Sequence, residues 1–231
     1  MSKIKENGLL GKLIVTSIIC ILPMIIGVAT WNILPDRMVS HFDSAGNPNQ
    51  YMAKWMNVFT LPLILLATHL LCSLSSIYSN SKEGQISKKF INVVIWVTPL
   101  TSVFVTAMIF GYTFGYSMNV SFWGQIFLAV IFLVIGNYLP KLRQNHVAGT
   151  RIKWTYESSK NWDHTQRFSG YCLCIAGILC LISALSDFAG RAKKEYFGLA
   201  LVIMIVIFTA STILYSYIYY IRHKDDEDYF N

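Results

Sequence analysis

Charged side chains are scarce in this sequence. Asp, Glu, Lys and Arg make up 13% of the 231 residues, about half the share of an ordinary soluble domain. Hydrophobic residues make up 54%, and the mean hydropathy is +0.47. A soluble domain of this size would expose large apolar patches. The composition therefore excludes an ordinary soluble enzyme, a disordered protein and a disulfide scaffold, and it predicts a polytopic membrane protein.

The motifs of common catalytic and metal sites are also missing. The sequence contains no H-E-x-x-H, G-x-S-x-G or P-loop pattern. Its five cysteines all fall in apolar stretches, where cysteine usually acts as a small apolar residue. Cys172 and Cys174 are two residues apart, which is the spacing of neither a CxxC redox pair nor a zinc knuckle. We therefore predict no catalytic residue, no metal site, no cofactor and no enzymatic activity.

Six apolar stretches have the length that a helix needs to cross a bilayer, about 20 residues. None contains Asp, Glu, Lys or Arg, and they cover residues 13–33, 56–78, 90–112, 120–139, 168–186 and 196–221. They lack the alternation of a membrane-spanning strand. The predicted fold is all-α, with six transmembrane helices. The first stretch resembles a secretory signal, but its length and the lack of a small-residue cleavage site predict a retained span.

The distribution of basic residues predicts the orientation. Residues 1–12, 79–89, 140–167 and 222–231 hold 14 of the 19 Lys and Arg residues, whereas the other connecting segments hold five. Basic residues concentrate in cytoplasmic loops, so both termini are predicted to be cytoplasmic. The net charge of +7 then reflects the concentration of basic residues on the cytoplasmic side. These residues also attract acidic membrane lipids. We predict no direct binding of nucleic acid.

Polar side chains within the spans are few. His69 lies in the middle of the second span, where an ionisable residue is a candidate proton relay. No acidic residue accompanies it in the spans, and polar residues also make hydrogen bonds between helices. We favour that structural role for His69, and a small transporter or channel stays the alternative.

Two connecting segments carry most of the remaining information. The predicted extracytoplasmic loop 34–55 contains a turn at residues 44–48 and a polar cluster that includes His41 and Asp43, too few ligands for a metal site. We expect an ordered cap there. The predicted cytoplasmic loop 140–167 is the most basic, and residues after Ser158 form a candidate amphipathic helix. Its Trp and Arg residues suit either lipid headgroups or a protein partner.

The spacing of polar and aromatic residues in these two segments resembles that of the SdpI family. In the basic segment the resemblance lies in Gly136-Asn137-Tyr138-Leu139-Pro140-Lys141, followed by Asn145, Gly149, Arg151, Trp154-Thr155, Trp162, Thr165 and Arg167. The segment L-P-D-R…H-F-D…G-N-P…Y…K resembles the small domain of unknown function that precedes it in many members. One departure is the stretch Gly149-Thr150-Arg151-Ile152-Lys153-Trp154-Thr155, where members often read G-I-R-T-P-W-T. The other is Gln166, where they often have His.

The resemblance implies a bacterial membrane immunity protein. Such proteins give resistance to a secreted sporulation-delaying-type peptide toxin, which collapses the proton gradient. Some members are also receptors that sequester a soluble ArsR-like autorepressor at the membrane. The implied partners are therefore the toxin, such an autorepressor and membrane lipids, and the implied location is the bacterial cell membrane. A membrane-embedded enzyme is a further alternative, although no paired acid and base or nucleophile supports it.

The resemblance also divides the chain and selects residues. It predicts an N-terminal two-helix unit over residues 1–89, with the loop 34–55, and a four-helix unit over residues 90–231, with the loop 140–167. The toxin-binding candidates are Pro35, Arg37, His41, Phe42, Gly46, Pro48 and Lys54. The candidates for the cytoplasmic motif and partner binding are Asn137, Pro140, Lys141, Asn145, Gly149, Arg151, Trp154, Thr155, Trp162, Thr165 and Arg167.

Overall fold

Six long helices dominate the structure, a computed structural model that describes residues 8–83, 88–190 and 196–226. They are α1 (Leu9–Ala29), α2 (Leu61–Glu83), α3 (Lys88–Thr113), α4 (Val120–Tyr138), α6 (Ser159–Phe188) and α7 (Phe197–His223), with a short α5 (Lys153–Glu157) between α4 and α6. Within the described residues, six helices are long and apolar enough to cross a membrane. The predicted all-α fold with six membrane-spanning helices is confirmed, and the side on which each terminus lies stays a prediction.

The helix ends differ from the apolar stretches at several places, and two of these differences have a clear local cause. The helix α1 ends at Ala29, because Thr30 to Leu34 form hydrogen-bonded turns: the Ile33 and Leu34 amides both donate to the Thr30 carbonyl, at 3.0 and 3.2 Å. The helix α6 begins at Ser159, where the Ser158 hydroxyl accepts a hydrogen bond from the Asn161 amide at 3.2 Å and caps it. The separate amphipathic helix expected after Ser158 is therefore wrong, since these residues are the first turns of α6.

A β-hairpin follows α1. Its antiparallel strands are β1 (Arg37–Phe42) and β2 (Pro48–Ala53), and a π-helical turn (Met56–Thr60) connects β2 to α2. The register of the hairpin shifts between Val39 and His41, as at a β-bulge. Met38 and Val39, which precede the shift and are adjacent in sequence, are both buried, at 1% and 2% exposure. The expected ordered cap is this hairpin.

The chain forms two compact units. The first comprises residues 1–78 and 91–121, and the second comprises residues 79–90 and 122–231. The hairpin belongs to the first unit, where Met38 shares a core with Leu34, Val58, Ile109 and Phe110. The contacts thus group most of α3 with the hairpin. The division at residue 89, which follows the family modules, stays a prediction.

Glycines bring helices together in the second unit. A Cβ at Gly136 of α4 would lie 2.9 Å from the Gly170 carbonyl oxygen of α6, and one at Gly177 would lie 3.0 Å from the Ala129 carbonyl oxygen. Such distances leave no room for a side chain, so α4 and α6 touch through their backbones, as small residues permit in membranes. The helix α7 instead exposes most of its apolar side chains.

Candidate functional site

Two regions carry the candidate residues: the hairpin, here residues 34–55, and the basic loop, here residues 140–167. The tip of the hairpin is fixed by local hydrogen bonds. The Asp43 carboxylate accepts from the Asn47 amide at 2.8 Å, and its carbonyl accepts from the Gly46 amide at 2.9 Å. Gly46 has a φ of +83°, which glycine adopts without strain. The Ser121 hydroxyl donates to the Ser44 carbonyl at 2.9 Å and holds the tip to the start of α4.

The base of the hairpin is held around Lys54. Its ammonium lies 3.2 Å from the Asp36 carboxylate and 4.9 Å from the ring centre of Trp31. The backbone amide of Lys54 also donates to the Asp36 carbonyl at 2.9 Å. Because the Lys54 side chain is 19% exposed, these contacts position it mainly as a support of the hairpin.

Arg37 and His41 are the polar candidate side chains that the hairpin exposes. Arg37 donates to the Tyr51 carbonyl at 3.2 Å, and a ring nitrogen of His41 lies 2.7 Å from the Asn49 amide oxygen. Tyr51 itself is 48% exposed. The hairpin therefore presents a cation, an imidazole and an aromatic ring to its surroundings.

The other toxin-binding candidates shape the hairpin. Phe42 is half-buried, with its ring centre 5.5 Å from that of Tyr112, in an edge-on arrangement. Gly46 and Pro48 belong to the turn and the start of β2, and Pro35 is exposed just before β1. The structure thus gathers all of these candidates on one hairpin, while their binding of a toxin stays a prediction.

Four neutral motif residues of the basic loop are buried and hydrogen-bonded: Asn145, Thr155, Trp162 and Thr165. Trp162 is fully buried, and its indole N–H donates to the Leu142 carbonyl at 2.8 Å. The Asn145 side chain accepts from the amides of Val147 and Ala148 at 2.9 and 2.8 Å. The Thr155 hydroxyl accepts from the Ile152 amide at 3.0 Å. These residues define the path of the loop.

Gln166 and Thr150 form a pair that the sequence did not reveal. The Thr150 amide donates to the Gln166 side-chain oxygen at 3.0 Å, and the Gln166 side-chain nitrogen donates to the Thr150 carbonyl at 3.2 Å. Gly149, with a φ of +108°, packs so closely that a Cβ would lie 2.8 Å from the same oxygen. At this departure from the family pattern, glutamine fastens the basic loop to α6.

A second network joins α6 to α7. The Asn161 side chain donates to the Ser216 carbonyl at 3.2 Å and accepts from the Ser216 and Thr165 hydroxyls, both at 2.9 Å. Asn161, Thr165 and Ser216 are each fully buried. Asn161 and Ser216 were not among the predicted residues, because Asn and Ser are too common for their spacing alone to indicate a contact 55 residues apart.

The basic residues of the loop face outward. All six are exposed: Lys141, Arg143, Arg151, Lys153, Lys160 and Arg167. Arg151 donates to the His146 carbonyl at 2.5 Å. The half-buried Trp154 lies against α7, with ring centres 5.2 Å from Tyr217 and 6.2 Å from Tyr220. The loop is therefore a neutral, buried framework that displays cations.

The remaining motif residues lie where α4 meets the loop. Asn137 is exposed in the last turn of α4, and Lys141 places its ammonium 4.8 Å from the ring centre of Tyr138. Pro140 packs against Gly170, where a Cβ would lie 2.8 Å from a proline ring carbon. The described residues contain no group of three or more His, Cys, Asp or Glu side chains that could hold a metal ion.

His69 makes the contact between helices that its position suggested. Its Nε2 atom lies 3.1 Å from the Thr16 hydroxyl of α1, and its Nδ1 atom lies 3.4 Å from the Ser73 hydroxyl one turn further along α2. His69, Thr16 and Ser73 are all fully buried. This arrangement links α1 to α2 within the first unit.

Comparison with known proteins identifies both regions. Residues 141–218 match the SdpI/YfhL protein family, and residues 18–66 match a domain of unknown function (DUF1648). The chain is similar to the immunity protein SdpI of Bacillus subtilis (strain 168), with 23% identity over 212 residues, which cover 90% of this chain and 96% of that protein. No solved structure matches. The predicted resemblance to the SdpI family is confirmed.

Proposed function

We propose that this protein is a non-catalytic membrane immunity protein that protects its cell against a secreted peptide toxin. The observation that carries the proposal is the extent of similarity to a protein named for immunity, which spans 90% of the chain. The two family matches include the hairpin and most of the basic loop. The similarity thus includes the regions that carry the candidate residues as well as the apolar helices.

In this proposal the hairpin contacts a toxin of the sporulation-delaying type. Its turn and base are held by hydrogen bonds and an ion pair, so its shape needs little ordering when a ligand binds. Arg37, His41 and Tyr51 are exposed on it, which gives a peptide both polar and aromatic contacts. We expect the hairpin to lie on the extracytoplasmic side, where a secreted toxin arrives.

The basic loop has a separate role in the proposal, which is to hold a soluble ArsR-like autorepressor at the membrane. Its six cations are exposed, whereas the residues that fix its shape are buried. A positive surface on a preformed framework suits a partner with a complementary negative surface. We expect this loop to be cytoplasmic, where such a regulator is found.

The central test is survival. Toxin-sensitive bacterial cells that express the protein should grow when a sporulation-delaying-type toxin is added, and cells with an empty vector should not. Immunoblotting of the membrane fraction confirms expression. Survival equal to that of the empty vector, at confirmed expression, would contradict the proposed immunity.

The hairpin is tested by exchanging its exposed polar side chains. Arg37→Gln combined with His41→Gln should lower survival at a fixed toxin dose, because the exchange removes contacts without opening the core. The matched control is Gln50→Ala, since Gln50 is exposed on β2 and is the register partner of His41. Equal protection by the double variant and the control would remove the hairpin surface from the proposal.

The basic loop is tested by separating signalling from resistance. Arg151→Ala should reduce recovery of a tagged autorepressor in the membrane fraction while it leaves toxin survival intact. Arg151 is exposed, so its exchange disturbs packing less than Trp154→Ala does. The latter removes a ring that packs against Tyr217 of α7. Unchanged recruitment in both variants would argue against the loop, and joint loss of recruitment and resistance would indicate misfolding.

A further inference from the structure

A cavity of about 280 Å³ lies in the second unit beside the basic loop. It is bounded by Thr150 and Ile152 of the loop, by Ser169 and Cys172 of α6, and by Thr209 and Thr212 of α7. Thr209 is exposed on the surface of α7, so the cavity reaches the outer side of that helix. This side would face lipid if α7 crosses the bilayer, as its length and apolar composition indicate.

The size and lining of the cavity limit what it can accept. Its volume lies just below the ~300–1,000 Å³ that is typical of small-molecule pockets. A helix with side chains is about 10–12 Å across, so a peptide helix does not fit. Leu139, Leu173 and Phe208 give the cavity a mainly apolar wall. Part of a flexible hydrocarbon chain that enters from the bilayer fits this volume and surface.

Two cations neighbour the loop residues of the cavity in the sequence. Arg151 lies between the lining residues Thr150 and Ile152, Lys153 follows directly, and both are exposed. The hydrogen bond from Arg151 to the His146 carbonyl uses one of five guanidinium N–H donors. The others can bind a phosphate oxygen, which guanidinium groups recognise well. Lys153 is 3.9 Å from Glu157, a loose surface pair that allows a second ligand.

We propose that this cavity binds an anionic phospholipid. One acyl chain would lie between α6 and α7, and the phosphate would lie at Arg151 and Lys153. The hydroxyls of Thr150 and Ser169, which are 2.9 Å apart, line the cavity beside the loop and suit the polar glycerol region of such a lipid. Basic pockets between membrane helices bind acidic headgroups by this combination of charge and shape.

Native mass spectrometry of the purified full chain in detergent tests this site without any toxin or regulator. The probes are phosphatidylglycerol and phosphatidylcholine with identical acyl chains. We expect phosphatidylglycerol to bind at least ~10-fold more tightly than phosphatidylcholine. Equal binding of the two lipids, or binding of neither, would overturn the proposal.

Filling the cavity tests its location. Thr209→Trp places an indole at the exposed edge of the cavity and should reduce phosphatidylglycerol binding at least ~10-fold. The matched control is Val206→Trp, because Val206 is 61% exposed on the same helix and does not line the cavity. Ile213→Trp, at a second lining position that is 42% exposed, provides an independent filling variant if Thr209→Trp does not fold. Unchanged binding in the folded filling variants would place the lipid elsewhere.

The headgroup contact is tested separately. Arg151→Gln combined with Lys153→Gln should remove the preference for phosphatidylglycerol, so that both lipids bind equally. Lys160→Gln is the control, since Lys160 is also exposed but precedes Ser169 by nine residues, roughly 13 Å along α6. A preference that survives the double exchange, or that is lost equally in the control, would contradict the assignment of the phosphate to Arg151 and Lys153.

Discussion

Single residues of the basic loop fall into two groups with different surroundings. Asn145, Thr155, Trp162 and Thr165 are at most 1% exposed and hydrogen-bond to the backbone or to other buried side chains. The basic residues around them are exposed. A buried Trp or Asn of the first group can affect a partner only by fixing the shape of the loop. Arg151, in the second group, is exposed and can contact a partner directly.

Trp162 gives the clearest prediction for a buried residue. Trp162→Phe removes the indole donor and leaves the Leu142 carbonyl oxygen without its 2.8 Å hydrogen bond. An unsatisfied buried acceptor costs about 1–3 kcal/mol, so the midpoint of thermal unfolding in detergent should fall. Trp123→Phe is the control, because Trp123 is 48% exposed. Equal midpoints for the two variants would show that the hydrogen bond contributes little.

The spacing of the candidate residues was easier to read from the sequence than their orientation. The spacing of Asn145, Trp162 and Thr165 indicated a motif, yet composition alone did not decide between a buried framework and an exposed surface. The Gln166–Thr150 pair joins residues 16 positions apart through one side chain and one backbone unit. No periodic pattern reports such a contact, and for that reason the role of Gln166 became visible only in the structure.

Among the elements, the spans were the most predictable. A charge-free run of about 20 residues reflects the thickness of the bilayer directly, so all six helices followed from the sequence. The hairpin did not, because two consecutive residues, Met38 and Val39, are both buried and the register shifts after Val39. The segment therefore lacks the alternation that identifies a strand. The turn at residues 44–48 was predicted, since it depends on local chemistry at Gly46 and Asn47.

The contact of α4 with α6 depends on the absence of a side chain at Gly136. Gly136→Ala would place a Cβ 2.9 Å from the Gly170 carbonyl oxygen and should force the helices apart. Overpacking of this kind costs about 1–3 kcal/mol, which lowers the unfolding midpoint. Gly124→Ala on the same helix is the control, because a Cβ there would meet no heavy atom within 4 Å, and alanine favours helix. A similar loss in both variants would refute the packing argument.

The hairpin depends on its tip contact with Ser121. Gly46→Ala combines a left-handed backbone with a Cβ 2.9 Å from the Ser121 amide nitrogen. Gly115→Ala is the matched control, since Gly115 has a similar φ of +81° and open space around it. Hydrogen exchange followed by mass spectrometry should therefore show faster exchange over residues 37–53 in Gly46→Ala alone. Equal hydrogen exchange in both variants would show that the contact between Gly46 and Ser121 does not control the stability of the hairpin.

At the scale of the whole molecule, several polar groups inside the spans make contacts within or between helices. His69 contacts Thr16 and Ser73, and the Ser102 hydroxyl donates to the Cys20 carbonyl at 2.9 Å. Each contact joins neighbouring residues within the first unit and satisfies a group that would be costly in lipid. This pattern agrees better with a binding protein than with a transporter, in which such side chains would face a continuous polar path.

The proposed function requires the hairpin and the basic loop to be on opposite sides of the membrane. Three spans separate them in the chain, and the excess of basic residues predicts that the loop is cytoplasmic. A membrane-impermeant maleimide should therefore label Gln50→Cys on intact cells, and it should label Lys160→Cys only after permeabilisation. The five native cysteines lie within the spans, so they can stay in place, and the unsubstituted protein measures the background.

The labelling pattern distinguishes the orientations because Gln50 and Lys160 are both exposed in the described structure. Labelling of Lys160→Cys alone on intact cells would show that the orientation is the reverse of the predicted one. The hairpin would then lie beyond the reach of a secreted toxin. Labelling of both on intact cells would mean that an odd number of the three intervening helices fails to cross. The first pattern would contradict the proposed toxin contact, and the second would contradict the proposed cytoplasmic role of the basic loop. Neither affects the lipid site, because binding at Arg151 and Lys153 is measured on the purified protein.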